Sequence, residues 1–226
     1  MSDEVPAESV EALLAAAYAL DGPDANRALY ARWAETYDNG FIVDSRYIYH
    51  DQVAELFAGH ALDRLGPNDV IVDIGCGTGL AGHSLRRFSN VSIDGIDISP
   101  EMLRQAARKQ HGGAVVYRKL IEADLTSPLS IDTHTYAAAI SVGTFTHGHV
   151  GPDAVTEVVR IVRPAGRVAI GINAAHYAAA HFGATLEQLM HTGRITDLRL
   201  VDVPIYDAAE MHDPDEIAHI AMFEVA

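Results

Sequence analysis

The sequence predicts an α/β fold, in which helices cover both faces of a mostly parallel β-sheet. From Val70 onward, short apolar runs alternate with segments whose apolar residues repeat every three or four positions. The first apolar run, Val70–Ile74, ends at three glycines spaced two apart, Gly75, Gly77 and Gly79. Alternating strands and helices form parallel sheets, and ligands bind such sheets beyond the carboxyl ends of the strands. We therefore expect a ligand at the glycines.

Seven strands are predicted for this sheet. They are Val70–Ile74, Val91–Ile98, Ala114–Leu120, Tyr136–Val142, Arg167–Ile172, Asp197–Val203 and Ile217–Val225. The last two have no helical pattern between them. We therefore expect them to form an antiparallel edge pair, joined by the acidic loop Asp207–Glu216.

Helices are predicted between the strands. The clearest pattern places Val155, Val158, Val159 and Val162 on one face of a helix with a period of 3.6 residues. Another helix begins well at Ser99, because serine caps a helix and the following proline suits its first turn. The predicted helices are Leu80–Phe88, Ser99–Gln110, Asp153–Val162 and one that ends with Leu186–Thr192.

Residues 1–66 are predicted to be helical and to form a lid, while residues 67–226 form the core. The lid helices are expected at Glu8–Leu20, Ala25–Tyr37 and Arg46–Leu65. No glycine- or serine-rich linker separates this region from the rest, so we interpret it as a cap and not as an independent domain. The complete prediction is a Rossmann-like, seven-stranded sheet with an N-terminal helical lid.

Composition and charge restrict the classes of function. The 226 residues are 49% hydrophobic and carry a net charge of −15, which disfavours nucleic acid as a partner and suits a small molecule. The single cysteine, Cys76, excludes an internal disulfide and a cysteine-built zinc site, and we predict no metal site. No apolar run approaches the ~20 residues of a membrane helix, and the acidic start is unlike a signal peptide. We expect a cytoplasmic protein that does not bind membranes.

The spacing of acids around the glycines indicates an adenosine ligand. Asp97 ends the second strand 22 residues after Gly75. This spacing is typical of an acid that accepts hydrogen bonds from the two hydroxyl groups of a ribose. Position 80 is Leu80 instead of the third glycine of a dinucleotide site, and Asp73 would repel a pyrophosphate. S-adenosylmethionine carries an ammonium and a sulfonium group, which Asp73 would attract.

Four motifs make the ligand class more specific. In chain order they are D-I-G-C-G-T-G-L-A, G-I-D-I-S-P-E-M-L, E-A-D-L and V-R-P-A-G-R-V, and they resemble the motifs of class I S-adenosylmethionine-dependent methyltransferases. Y-A-R-W-A-E-T-Y-D and S-V-G-T-F-T-H-G-H-V are similar to a small-molecule branch, the Williams–Beuren-region methyltransferase-like proteins. The chain departs from the usual P-G-G at Pro164-Ala165-Gly166, and it has Thr135-Tyr136 where an acid is common.

The resemblance implies an enzyme that transfers a methyl group from S-adenosylmethionine to a small-molecule O-, N- or C-nucleophile and releases S-adenosylhomocysteine. Two alternatives remain open. The protein is a non-catalytic, S-adenosylmethionine-binding regulator or partner, or, less favoured, an NAD-dependent oxidoreductase. The sequence leaves a monomer and a homodimer equally open.

The resemblance also implies cofactor contacts. Asp73 would lie near the methionine part, Asp97 would accept both ribose hydroxyls, and Asp124 would accept from the adenine amino group. Asp73 and Asp124 have the alternative role of capping a turn, and Met102 that of core packing. The residues assigned to the cofactor are Tyr30, Trp33, Tyr37, Asp73, Gly75, Gly77, Asp97, Ile98, Met102, Asp124, Leu125 and Ser141.

Aromatic and histidine side chains complete the predicted site. Tyr30, Trp33 and Tyr37 share one helical stripe, which either packs the lid onto the sheet or closes over the cofactor. The candidate general bases are His147 and His149, after the fourth strand, with a structural or substrate-shaping role as the alternative. His176 and Tyr177 follow the fifth strand and are candidates for the same pocket.

Overall fold

The computed structural model describes residues 10–20, 22–207, 213 and 215–226. It contains the predicted seven-stranded sheet and one additional two-stranded hairpin. The strands are β1 (Val70–Ile74), β2 (Ser92–Asp97), β3 (Gln110–His111), β4 (Ala114–Val115), β5 (Lys119–Glu122), β6 (Tyr136–Phe145), β7 (Val162–Asn173), β8 (Ile195–Pro204) and β9 (Ile217–Val225).

The order of the strands in the sheet is β5-β2-β1-β6-β7-β9-β8. Neighbouring strands are parallel except at β9, which lies antiparallel between β7 and β8. The predicted mostly parallel sheet with an antiparallel C-terminal pair is therefore confirmed. The chain runs outward from β1 to β2 and β5 and then returns to β6 on the other side of β1. The carboxyl ends of β1 and β6 thus flank the crevice where such sheets bind ligands.

The prediction of a strand over Ala114–Leu120 is wrong. Ala114–Val115 pairs only with β3 in the hairpin, and the edge strand β5 begins at Lys119. Between them Val116 and Tyr117 are buried, because their side chains pack into the core beneath the sheet. This inward packing interrupts the strand that the run of apolar residues predicts.

The helices agree with the predictions to within a few residues, apart from breaks in the lid. They are α1 (Val10–Tyr18), α2 (Pro23–Trp33), α3 (Ile42–Asp44), α4 (Tyr49–Ala61), α5 (Leu80–Leu85), α6 (Pro100–Arg108), α7 (Asp153–Ile161), α8 (Ala174–Ala179) and α9 (Phe182–His191). The predicted helix over Ala25–Tyr37 ends early at Trp33, and a π-helical turn follows at Tyr37–Phe41. The predicted start of the first lid helix, at Glu8, lies outside the described residues, and so does most of the loop Asp207–Glu216.

Two apolar layers cover the sheet. One contains α7 and α9, and its buried residues include Val155, Val158 and Phe182. The other contains α4 and α5, and Phe57 on α4 is fully buried in it. Helix α4 belongs to the predicted lid, yet it packs directly on the sheet. Within the described part of the chain, no helix is long and apolar enough to cross a membrane.

The remaining lid segments form a small aromatic core of their own. Leu13 and Ala17 from α1 pack with Leu29 and Trp33 from α2 and with Phe41 from the π-helical turn. These side chains are nearly inaccessible to solvent, so the lid is held together by apolar burial.

Candidate functional site

The turn after β1 depends on glycine for two different reasons. Gly75 has a φ of +64°, and a Cβ there would lie 2.0 Å from Oγ1 of Thr144. Gly77 has a φ of +53°, but a Cβ there would meet nothing within 4 Å. Gly79 has a φ of +92° and packs so closely against the ring of Tyr117 that a Cβ there would lie 2.7 Å from a ring carbon. Gly75 is therefore required by packing, whereas Gly77 leaves open space above the backbone.

Asp97 at the end of β2 is fixed against this turn. Its Oδ2 accepts a hydrogen bond from the backbone N–H of Gly77 at 2.8 Å, and its Oδ1 accepts one from Ser99 at 2.9 Å. Burial raises the pKa of the Asp97 carboxyl, while these N–H groups oppose the rise. The backbone N–H of Ile98 also acts on this carboxylate, which has about four lone-pair sites, so at least one site remains for a ligand.

The glycine turn and Asp97 line a cavity that opens to solvent, here called the glycine-loop cavity. Many predicted residues converge on its wall although they come from the predicted lid, the sheet, helix α6 and four loops. They are Tyr30, Tyr37, Gly75, Gly77, Asp97, Ile98, Met102, Asp124, Leu125 and His149. Their roles toward a cofactor remain predictions, but the structure brings them together.

The charged side chains of the described wall are all acidic. Asp97 and Asp124 line it, while none of the described residues around it is a lysine or an arginine. Anionic groups in a cavity favour a cationic or neutral ligand and disfavour a phosphate. The wall is otherwise mostly apolar, as at Ile98 and Met102.

Four of the residues predicted to bind the cofactor or to act as bases do not line this cavity. Trp33 lies in the aromatic core of the lid, and the Ser141 hydroxyl is buried, donating to the carbonyl of Ile74 at 2.8 Å. The ring of His147 contacts His176 at 5.2 Å between centroids. The fourth is Asp73.

Asp73 is fully buried beneath the glycine turn and faces Tyr117. Its Oδ2 accepts a hydrogen bond from the Tyr117 hydroxyl at 2.6 Å, whereas its Oδ1 has no partner. Burial raises the pKa of the Asp73 carboxyl to about 7. Direct contact with a methionine ammonium group stays a prediction for this residue.

Asp124 has the turn-capping role that the sequence analysis left open. Its Oδ1 accepts hydrogen bonds from the backbone N–H and the hydroxyl of Thr126, at 2.8 and 2.7 Å. The residue still lines the cavity, so capping and ligand contact are compatible.

A hydrogen-bonded chain joins the lid to the loop after β6. Nδ1 of His149 lies 2.7 Å from the carbonyl oxygen of His147, and its Nε2 lies 2.9 Å from the Tyr30 hydroxyl. A carbonyl only accepts, so Nδ1 carries the proton and Nε2 accepts from Tyr30. Burial lowers the pKa of His149, so the ring is neutral near pH 7. Of the two predicted bases, only His149 has a ring nitrogen at the cavity, and His147 contributes its carbonyl.

His176 and Tyr177 lie beside this loop and not in the cavity wall. Nε2 of His176 lies 3.0 Å from the carbonyl oxygen of Val150, and Tyr177 stacks on Phe182. His176 therefore supports the loop that carries His149, whereas Tyr177 packs against residues of α9 and β9.

Asp38 links the lid to the glycine turn, which the sequence analysis missed. Its Oδ1 accepts a hydrogen bond from the Thr78 hydroxyl at 2.6 Å, and its Oδ2 forms an ion pair with Lys109. A further bond joins Nε of Arg27 to the Ile98 carbonyl at 3.3 Å. No local pattern marks these pairs, because the partners lie 40 to 71 positions apart.

The sequence analysis also missed Asn26, Tyr47 and His50 in the cavity wall. Tyr47 and His50 belong to the run Tyr47-Ile48-Tyr49-His50, whose dense aromatic content was an available signal. Burial lowers the pKa of His50.

A second cavity adjoins the first, and we call it the aromatic cavity. The two share Tyr30, Tyr37, Tyr47, Gly143 and His149 as wall residues. Two adjacent cavities can bring two small molecules into contact. Among the described residues, no group of three or more histidine, cysteine or acidic side chains is arranged to hold a metal ion.

Comparison with known proteins agrees with this geometry. Residues 71–166 match the family described as "Methyltransferase domain". Over 142 residues the chain is 32% identical to human methyltransferase-like protein 27, covering 62% of this chain and 55% of that protein. The chain thus spans about half the length of this curated relative.

Solved structures show the same fold at low identity. A TehB-like S-adenosylmethionine-dependent methyltransferase from Corynebacterium glutamicum has a TM-score of 0.58 and 21% identity, covering 88% of this chain and 99% of that one. The cyclase SpnF has a TM-score of 0.66 and 15% identity, covering 91% and 97%. Because a methyltransferase and a cyclase share this fold, the fold alone does not assign the reaction.

Proposed function

We propose that this protein, whose residues 71–166 belong to the class I S-adenosylmethionine-dependent methyltransferases, methylates a small-molecule acceptor. The family, the enzyme class and the cofactor that the sequence motifs predict are confirmed for this domain by the comparisons. The activity of the whole chain and its acceptor belong to the proposal, because the matched relative is covered over only about half its length.

One observation carries the proposal: Asp97 is held against Gly77 in a cavity whose described wall contains two acids and neither lysine nor arginine. The free lone pairs of Asp97 fit a ribose diol, and Ile98 and Met102 fit the faces of an adenine ring. Acids close to the glycines favour a sulfonium and disfavour the pyrophosphate of a nicotinamide dinucleotide. The residues present therefore fit S-adenosylmethionine.

Methyl transfer requires no covalent bond between the substrates and a side chain of this protein. S-adenosylmethionine supplies a methyl carbon that is already activated by its positively charged sulfur. The chain would orient donor and acceptor in adjoining cavities and exclude water with Tyr30, Tyr37 and Tyr47, which line both.

When the methyl acceptor must lose a proton, His149 is the proposed base that takes it up. Its Nε2 faces Tyr30, and its Nδ1–H is held by the carbonyl of His147, which fixes the tautomer. Tyr30 would receive the proton from the acceptor and pass its own to Nε2 of His149. An acceptor that reacts through a neutral nitrogen or carbon needs this relay only after methyl transfer or not at all.

The proposal is tested with purified full-length protein and S-adenosylmethionine that carries a labelled methyl group. A panel of small hydroxyl, amine and activated-carbon compounds is screened for label transfer and for release of S-adenosylhomocysteine. Transfer to at least one compound supports the proposal. Tight cofactor binding without transfer to any compound favours the regulatory alternative, and stabilisation by NAD but not by S-adenosylmethionine would favour an oxidoreductase.

Several finer expectations belong to this proposal. The acidic charge of the chain favours a small molecule over nucleic acid as the acceptor. Monomer or homodimer, and the compartment, stay predictions from the sequence.

A further inference from the structure

The aromatic cavity has a wall chemistry that differs from that of the glycine-loop cavity. Eight of its wall residues are tyrosine, tryptophan or phenylalanine. None of the described wall residues is Asp, Glu, Lys or Arg. The ring-bearing residues are Tyr30, Trp33, Tyr37, Phe41, Tyr47, Tyr49, Phe145 and Tyr206. A charged molecule in this cavity would lose its hydration without gaining a counter-charge, which is costly.

Four titratable groups of this wall, three phenols and one imidazole, are neutral near pH 7. Burial raises the pKa of Tyr37 and Tyr47 well above the ordinary tyrosine value and raises that of Tyr49 as well. Burial lowers the pKa of His149. The phenols therefore stay protonated and the imidazole uncharged near pH 7, and no ionised group is created that would hold a charged ligand.

One polar group in this wall has no partner. Tyr49 is 2% exposed, and its hydroxyl makes no hydrogen bond in the protein. It lies against Gly171, another wall residue, where a Cβ would come within 1.9 Å of the hydroxyl oxygen. An unpaired buried hydroxyl is unfavourable, so an oxygen or nitrogen of a ligand would relieve a cost that the empty protein carries.

We propose that the aromatic cavity binds the methyl acceptor, and that this acceptor is an uncharged, ring-containing small molecule whose oxygen or nitrogen accepts a hydrogen bond from Tyr49. The inference rests on the proposed function, since the adjoining glycine-loop cavity must hold the methyl donor. Aromatic walls bind flat apolar rings through dispersion and edge-to-face contacts, while Tyr49 selects a polar substituent at one end.

The test uses three probes of equal ring size: naphthol, naphthoate and naphthylmethylammonium. Full-length protein saturated with S-adenosylhomocysteine is titrated with each probe by calorimetry. We expect naphthol to bind at least about tenfold more tightly than either charged probe. Equal affinity for a charged probe, or no naphthol binding up to its solubility limit, would overturn the proposal.

The variant Tyr49→Phe separates the hydroxyl from the shape of the cavity. We expect it to weaken naphthol binding about three- to tenfold while leaving S-adenosylhomocysteine affinity unchanged. Its thermal stability should not fall, because the lost hydroxyl has no partner in the protein. Tyr136→Phe is the matched control, since that hydroxyl faces Asp94 and Tyr136 lines neither cavity. Unchanged naphthol affinity in Tyr49→Phe would overturn the assigned contact.

Binding measurements distinguish a wrong acceptor class from a wrong proposed function. If S-adenosylhomocysteine and S-adenosylmethionine bind but naphthol does not, the acceptor class is wrong and the donor site stands. If neither nucleoside binds, the proposed function itself fails.

Discussion

The Tyr30 hydroxyl and Nε2 of His149 lie 2.9 Å apart and join two regions that are 119 positions apart in the chain. Tyr30 belongs to the lid and His149 to the loop after β6. This bond closes one side of both cavities, because both residues line both walls. The relationship makes the lid part of the site and leads to the first prediction.

A double-mutant cycle of Tyr30→Phe and His149→Phe should show a coupling of about 1 kcal/mol in the free energy of unfolding. The coupling arises because each single variant already removes the Tyr30–His149 hydrogen bond, so the second substitution has no such bond left to remove. Urea unfolding of the four proteins measures it. The control cycle pairs Tyr30→Phe with His111→Phe, whose ring contacts His83, and it should be additive. Additivity in the Tyr30–His149 cycle would contradict the bond.

Asp73 should make the protein less stable as the pH rises. Its pKa of about 7 in the folded protein exceeds the ordinary value of about 3.9, so the folded state keeps a proton that the unfolded state releases. The free energy of unfolding should therefore fall between about pH 4 and 7, by at most about 1.4 kcal/mol per pH unit from this group, and level off above it.

Urea unfolding from pH 4.5 to 8 measures this trend as the difference between the native protein and Asp73→Asn, which lacks the titration. Tyr117→Phe removes the hydrogen bond that lowers the pKa of Asp73, so its stability should keep falling to a higher pH. A difference between the native protein and Asp73→Asn that does not vary with pH would count against the raised pKa.

The two glycines at the turn should respond differently to alanine. Gly75→Ala should lower stability by several kcal/mol, because its Cβ would overlap the Thr144 side chain. Gly77→Ala should cost about 1–2 kcal/mol for its positive φ, yet weaken S-adenosylmethionine binding strongly, because the methyl group enters open space at the cavity wall. Thermal unfolding and calorimetry separate the two effects. Equal stability of the two variants would argue against the packing role of Gly75.

Loss of the Asp38 side chain should loosen the lid over the glycine turn. Asp38→Ala removes the bond to Thr78 and the ion pair with Lys109, so we expect S-adenosylmethionine affinity to fall about three- to tenfold. Circular dichroism should show an intact sheet. Asp44→Ala, an exposed acid in the same lid, is the matched control and should bind as the native protein does. Equal losses in both variants would mean that the Asp38 contacts are not responsible.

The sheet and the cofactor turn were predictable from local patterns. The alternation of strand and helix signals fixes the parallel sheet, and the 22-residue spacing places Asp97 beside the glycines, where it bonds to Gly77. These features are local because a strand, its turn and the next strand are contiguous in sequence.

Other features depend on packing between distant segments. Tyr117 turns inward to meet Asp73, which interrupts the predicted third strand and places the Asp73 carboxylate beneath the turn and not in the cavity wall. The aromatic cavity joins Tyr49 at the start of α4 to Gly171 in β7 and to Tyr206 after β8. No periodicity or motif links these residues, so only the folded structure shows them together.

The most direct test of the account is the affinity of Asp97→Ala for S-adenosylmethionine, measured by calorimetry on the folded protein. We expect a loss of about 10- to 100-fold, because a ribose diol would lose two hydrogen bonds to a charged acceptor. Glu122→Ala is the control. Glu122 is an exposed acid on β5 that lies opposite Asp97 of β2 in the sheet, and this variant should bind S-adenosylmethionine as the native protein does. Unchanged affinity in Asp97→Ala, or no binding by the native protein, would contradict the assignment of this crevice to the methyl donor.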